Sequence, residues 1–92
     1  MKRDKKFYIN AIKMDLFRVV TATGDTTKNI PTESVKEFLD HASSTFKNIS
    51  LNKRELKLKS ELEQLASNLD SLDDPLNRLR WAEQVLTIRT RL

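Results

Sequence analysis

Cysteine is absent from the 92 residues, glycine occurs once and proline twice. Without cysteine there is no disulfide and no thiolate metal site, and the chain has no need of an oxidising compartment. A reducing cytoplasm is the expected setting. Scarce glycine and proline remove the usual punctuation of turn-rich and strand-rich folds and leave long stretches free to be helical. No run approaches the ~20 apolar residues of a membrane span. The first segment, MKRDKKFYINAIKM, opens with positive charge, but its apolar stretch FYI is interrupted at Asn10, Lys13 and Asp15 and does not read as a signal-peptide core. The sequon Asn48-Ile49-Ser50 has meaning only in a secreted protein.

Catalytic groups are equally scarce. His41 is the only histidine; Glu37, one turn earlier, is its expected partner on the polar side of a helix. The Glu-x-x-His spacing of carboxylate bundle metal sites is missing. The segment TGDTTK has one glycine and lacks the Gly-Lys-Ser/Thr order of a phosphate-cradling loop, so it reads as a connector. No metal, no cofactor and no enzymatic activity are expected.

What the chain does have is charge and helical periodicity. A third of the residues are charged, with a net charge of +4 and a pI near 9.6. The charges come in alternating blocks: residues 1–13 sum to +4, 14–50 to −1, 51–59 to +3, 60–74 to −5 and 75–92 to +3. Such blocks suggest helix ends and faces that complement one another or a second molecule.

Apolar residues recurring at three and four predict a single all-α domain over residues 1–92, a compact four-helix bundle with mostly up-and-down connections. The helices are expected at about 4–21, 32–48, 52–72 and 75–91. In the first, Ile9, Ile12, Leu16, Val19 and Val20 share a face, with Phe7, Ala11 and Met14 opposite; its β-branched end, FRVVTAT, could instead be extended. The second, capped at Thr32 or Ser34, has a capping-box pattern at Ser34-Val35-Lys36-Glu37 and the cleanest core stripe, Val35, Phe38, Leu39, Ala42, Phe46 and Ile49. The third opens on another capping box, Asn52-Lys53-Arg54-Glu55. Asp73 and Asp74 before Pro75 read as a cap followed by proline at the first helical position of the fourth. So short a link predicts an antiparallel hairpin.

Leu51, Leu58, Leu65 and Leu72 recur every seventh residue, with Leu62 and Leu69 between them. Three heptads, about 33 Å at 1.5 Å per residue, are at the lower limit for an independent coiled coil, which favours an intramolecular seam over a homodimer zipper. Leu56 lies off that seam and implies a second neighbour. A basic-zipper architecture is excluded because no long basic helix precedes the repeat.

The last helix carries two apolar stripes: Leu76, Leu79, Ala82 and Leu86 on one side, Trp81, Val85, Ile88 and Leu92 on the other. One stripe is enough for a peripheral bundle helix. The second either packs on helix 1 or meets another molecule. The sole tryptophan beside arginine resembles the composition of interface hot spots. Trp81, Val85, Ile88 and Arg89 are therefore the expected contacts of a small interaction or regulatory module, for a protein partner or a second copy. The alternative is a nucleic-acid-associated regulator using Lys2, Arg3, Lys5 and Lys6 beside Phe7 and Tyr8, with the start of helix 3 and Arg78, Arg80, Arg89 and Arg91 as further phosphate contacts. The acidic block at 60–74 counts against it, and Asp4 and Asp15 count against a membrane-surface helix.

Overall fold

Four α-helices form among the described residues, with no strand: α1 Lys5–Gly24, α2 Thr32–Phe46, α3 Lys53–Ala66 and α4 Pro75–Arg91, with a short 3-10 helix, Leu69–Asp73, between the last two. The computed structural model describes residues 4–24, 29 and 31–92, with residues 70 and 71 by backbone alone. Lys2, Arg3 and most of the connector after Gly24 lie outside the described residues. The fold is the expected all-α four-helix bundle.

The ends of the helices follow from local chemistry. Asp4 accepts the backbone N–H of Phe7 at 2.9 Å and so starts α1. The β-branched VVTAT stretch stays helical, three residues past its expected end, because Val19 and Thr23 both face the core. The Thr23 hydroxyl is satisfied by donating to the Val19 carbonyl at 2.8 Å. The expected box at Ser34 and Glu37 does not form, since α2 already begins at Thr32, with the Pro31 carbonyl accepting from Val35 N–H. At Phe46 α2 ends, which leaves Ile49 half-buried in the turn that follows.

The box at Asn52 does form, reciprocally: Glu55 N–H donates to Asn52 Oδ1 at 2.8 Å, and Asn52 N–H donates to Glu55 Oε1 at 3.0 Å. The expectation that this helix runs to Leu72 fails. It stops at Ala66, where the Ser67 hydroxyl donates to the Gln64 carbonyl at 2.7 Å and the chain tightens into the 3-10 turn. Ser67 bonding back to its own helix is the competition with the backbone that makes serine a poor helix interior. Asp74 then caps α4, accepting from Leu76 N–H, with Pro75 at the first helical position as expected.

This break removes the heptad repeat as a continuous feature. Leu51 precedes α3 and Leu72 follows it. Leu58, Leu62 and Leu72 are buried in the chain's own core, and Leu51 and Leu65 are half-buried. The off-seam Leu56 finds no second neighbour and is exposed.

The core joins Ile12, Leu16 and Val19 of α1, Val35, Leu39, Ala42 and Phe46 of α2, and Trp81, Val85 and Ile88 of α4 to the α3 leucines. Each large side chain contributes about 1.5–3 kcal/mol by leaving water. Helix α1 packs closely on both α2 and α4, while α3 touches α2 and α4 more lightly from the far side of the bundle. Three side-chain ties set the antiparallel neighbours: Asp15 with His41 between α1 and α2, and Arg78 with Thr23 and Arg89 with Lys13 between α4 and α1. Consequently α1 and α3 begin, and α2 and α4 end, at one end of a body 43 Å long.

Candidate functional site

The structure turns α4 the opposite way from the expected one. Trp81 is only 3% exposed, Val85 is fully buried and Ile88 is buried, so three of the four expected contact residues belong to the core. The fourth, Arg89, is half-buried and donates from Nε to the Lys13 carbonyl at 3.1 Å, with its guanidinium 5.6 Å from the Phe17 ring centre. Two more donors on α4 are spent the same way. Trp81 Nε1 donates to the Leu65 carbonyl at 2.9 Å, and Arg78 Nε donates to the Thr23 carbonyl at 2.7 Å. Both acceptors lie in the last turn of a helix, where carbonyls lack intrahelical partners. The stripe expected to meet another molecule is held to this molecule by packing and by named hydrogen bonds.

The other stripe faces outward. Leu79 and Leu86 remain 43% and 44% exposed, and Leu76 is more exposed still. Seven residues apart, Leu79 and Leu86 stand on one line of the helix, turned about 60–80° outward from Arg89. The antiparallel ties give the level of each residue along α1: with Arg78 at Thr23 and Arg89 at Lys13, Leu86 stands level with Leu16, next to Phe17, and Ala82 level with Val19, next to Val20. Phe17 is itself half-exposed at 51%. The outer side of the α1–α4 seam is thus an apolar strip of Phe17, Leu86 and Leu79 over the more buried Val20 and Ala82, with Arg89 at one edge. A protein of this size gains little by leaving three large apolar side chains along one seam in water.

Charge is distributed along the long axis. The end where α1 and α3 begin carries Lys5, Lys6, Lys53, Arg54 and Lys57, joined by Lys47 after α2 and Arg91 at the end of α4. Two acids stand among them, and both are engaged: Asp4 caps α1, and Glu55 binds Lys5 Nζ at 2.5 Å while closing the Asn52 box. The Lys5 hydrogen bond, backed by the Asn52 N–H and the charge of Arg54, holds the Glu55 carboxyl below the usual range despite its burial. Acids gather at the far end, with Glu33 opening α2, Glu61 and Glu63 near the end of α3, and Asp73 and Asp74 before α4.

The expected phosphate contacts are therefore divided. Lys6 and Arg91 are exposed at the basic end, while Lys5 is paired there with Glu55. Arg80 is exposed near the acidic end, Arg78 is buried, and Arg89, its Nε bonded to the Lys13 carbonyl, lies over Phe17 on the side of the bundle.

His41 meets Asp15 of α1 instead of Glu37, its Nδ1 lying 2.5 Å from a carboxylate oxygen, with Arg18 at 3.4 Å from the other oxygen. Asp15 is buried, so this cluster ties α1 to α2 across their outer flank, and Arg18 also lies over the Phe38 ring. Of the grooves that border α3, one, of about 180 Å³, has an apolar floor of Leu39, Phe46, Leu62 and Ala66 and a polar edge of Asp40, Ser43, Lys59 and Glu63; another, of about 460 Å³, is lined mainly by Glu61, Gln64, Asn68, Gln84 and Thr87. Among the described residues no three His, Asp or Glu side chains form a metal-binding group, and no helix is long and apolar enough to cross a membrane. Compared with family models, with curated proteins and with solved structures, the chain matches none.

Proposed function

We propose that this chain is a small, non-catalytic, cytoplasmic protein-interaction module whose docking face is the outer α1–α4 seam. The observation that supports it is the orientation of α4: its aromatic stripe is sealed against α1 and α3, while Leu79, Leu86 and the neighbouring Phe17 are left about half in water. A straight apolar line on a rigid two-helix surface suits the apolar face of a partner's helix, which would bury side chains at three- and four-residue spacing. Arg89, already held over Phe17, supplies a fixed cation at the rim for an acidic group of the partner. The absence of cysteine makes the fold indifferent to a reducing compartment, which supports the cytoplasmic setting.

A second copy is the partner present in every pure sample. Sedimentation equilibrium of the native chain is expected to show reversible self-association as concentration rises. Leu86→Asp should weaken it about 100-fold, the loss of two buried leucines in a symmetric contact, with unchanged helicity. A native chain that stays monomeric at all concentrations and sediments like the variant would count against the seam as a docking face.

A further inference from the structure

We infer that the basic end of the bundle is a second, separate binding site, for the phosphodiester backbone of a nucleic acid. This goes beyond the interaction reading and does not depend on it. In the sequence the cations stand in separate segments, with the acidic block 60–74 between two of them. The up-and-down topology brings Lys5 and Lys6, Lys47, Lys53 and Arg54, and Arg91 to one end and sends the acidic block to the other. The molecule is thus strongly basic where the whole-chain charge of +4 suggests only a mild excess.

The placement of these cations is unfavourable for folding. Lys5, Lys6, Lys53 and Arg54 occupy the first turns of α1 and α3, where the helix dipole favours acids and repels cations. Among the described residues, Lys5 alone of these four forms an ion pair with a carboxylate, that of Glu55. An anionic backbone lying across this end would relieve both the mutual repulsion of the cations and their conflict with the two dipoles.

Aromatic groups favour nucleic acid over a lipid surface. Phe7 is exposed and Tyr8 half-exposed in the first turn of α1, their ring centres 5.5 Å apart and edge to face. Flat rings among cations suit the stacking of unpaired bases, which is tolerant of sequence. Most of the exposed apolar residues that a membrane would take up, Phe17, Leu76, Leu79 and Leu86, lie along the side or toward the acidic end. The acidic end repels the same backbone, so the chain would stand end-on.

The test is fluorescence anisotropy of a labelled 15-residue oligothymidine with the full chain. If about four phosphates are engaged, affinity should fall about 50-fold between 50 and 200 mM salt. Lys53→Glu with Arg54→Glu should abolish binding while the fold survives, because acids suit a helix start. Lys36→Glu with Arg80→Glu, the same change of net charge placed toward the acidic end, should bind within twofold of the native chain. Equal loss in both double variants would reduce the effect to net charge and overturn the site. So would no binding to the oligonucleotide, salt-independent binding, or sedimentation with phosphatidylserine vesicles in preference to the oligonucleotide.

Discussion

Trp81→Ala is expected to destabilise the native chain by about 3–5 kcal/mol, the range for truncating a core aromatic. Trp81 is packed between α3 and α4, and its indole N–H reaches the Leu65 carbonyl where α3 ends. Truncation leaves a cavity in the core cluster beside the end of α3 and removes the tie between those helices. A chain of this length has a total stability of only about 5–14 kcal/mol, so the loss is a large part of it. Urea unfolding followed by far-ultraviolet circular dichroism measures the change, since the variant has no tryptophan to report it. Trp81→Phe should recover most of the packing but not the hydrogen bond, and lie about 1 kcal/mol below the native chain. Stability unchanged within about 0.5 kcal/mol on Trp81→Ala would return the tryptophan to the surface and reverse the orientation of α4.

The second large effect is expected at Arg78. Replacement by Ala should cost about 2–3 kcal/mol, more than an exposed phosphate-binding arginine could. Its side chain is buried, and Nε donates to a carbonyl in the last turn of α1. That position combines a charge-assisted hydrogen bond with a cation at the negative end of a helix. Arg78→Lys should restore less than half of the loss, because an ammonium group cannot reproduce the fixed guanidinium fork. Urea midpoints of the three proteins, with equal slopes, give the comparison.

Both residues show how far the sequence can be read. Helical periodicity located the α1 core face, the α2 stripe and the Asn52 cap, because each depends on neighbours within one or two turns. The lost box at Ser34 and the break at Ala66 were harder. Each was decided by a competing local choice: Pro31 before the first, and Ser67 bonding back to its own helix at the second.

The orientation of α4 could not be read locally, since its two apolar stripes are about equally apolar. Arg78 shared the period of Trp81, Val85 and Ile88, which is the signal that places it on the buried face. A charged side chain normally argues against such a position unless a partner is known, and the Thr23 carbonyl lies 55 positions away in sequence. Asp15 is a similar case. It falls beside Leu16 on the core period of α1, and its partner His41 comes from another helix. The cations of the basic end were legible as separate clusters at Lys5 and Lys6, at the start of helix 3 and at Arg91; the folded order of helices adds Lys47 to them and takes Arg78 and Arg80 away.

Because the native sequence has no cysteine, single-cysteine variants report directly which face of α4 meets water. Maleimide labelling of Leu79→Cys, Leu86→Cys, Val85→Cys and Ile88→Cys in the folded state tests the orientation on which the docking face depends. At a concentration where the chain is monomeric, residues 79 and 86 are predicted to react far faster than 85 and 88, which label only at the rate at which the domain opens. Fast labelling at 85 and 88 with protection at 79 and 86 would contradict it and return the contact surface to the Trp81 stripe.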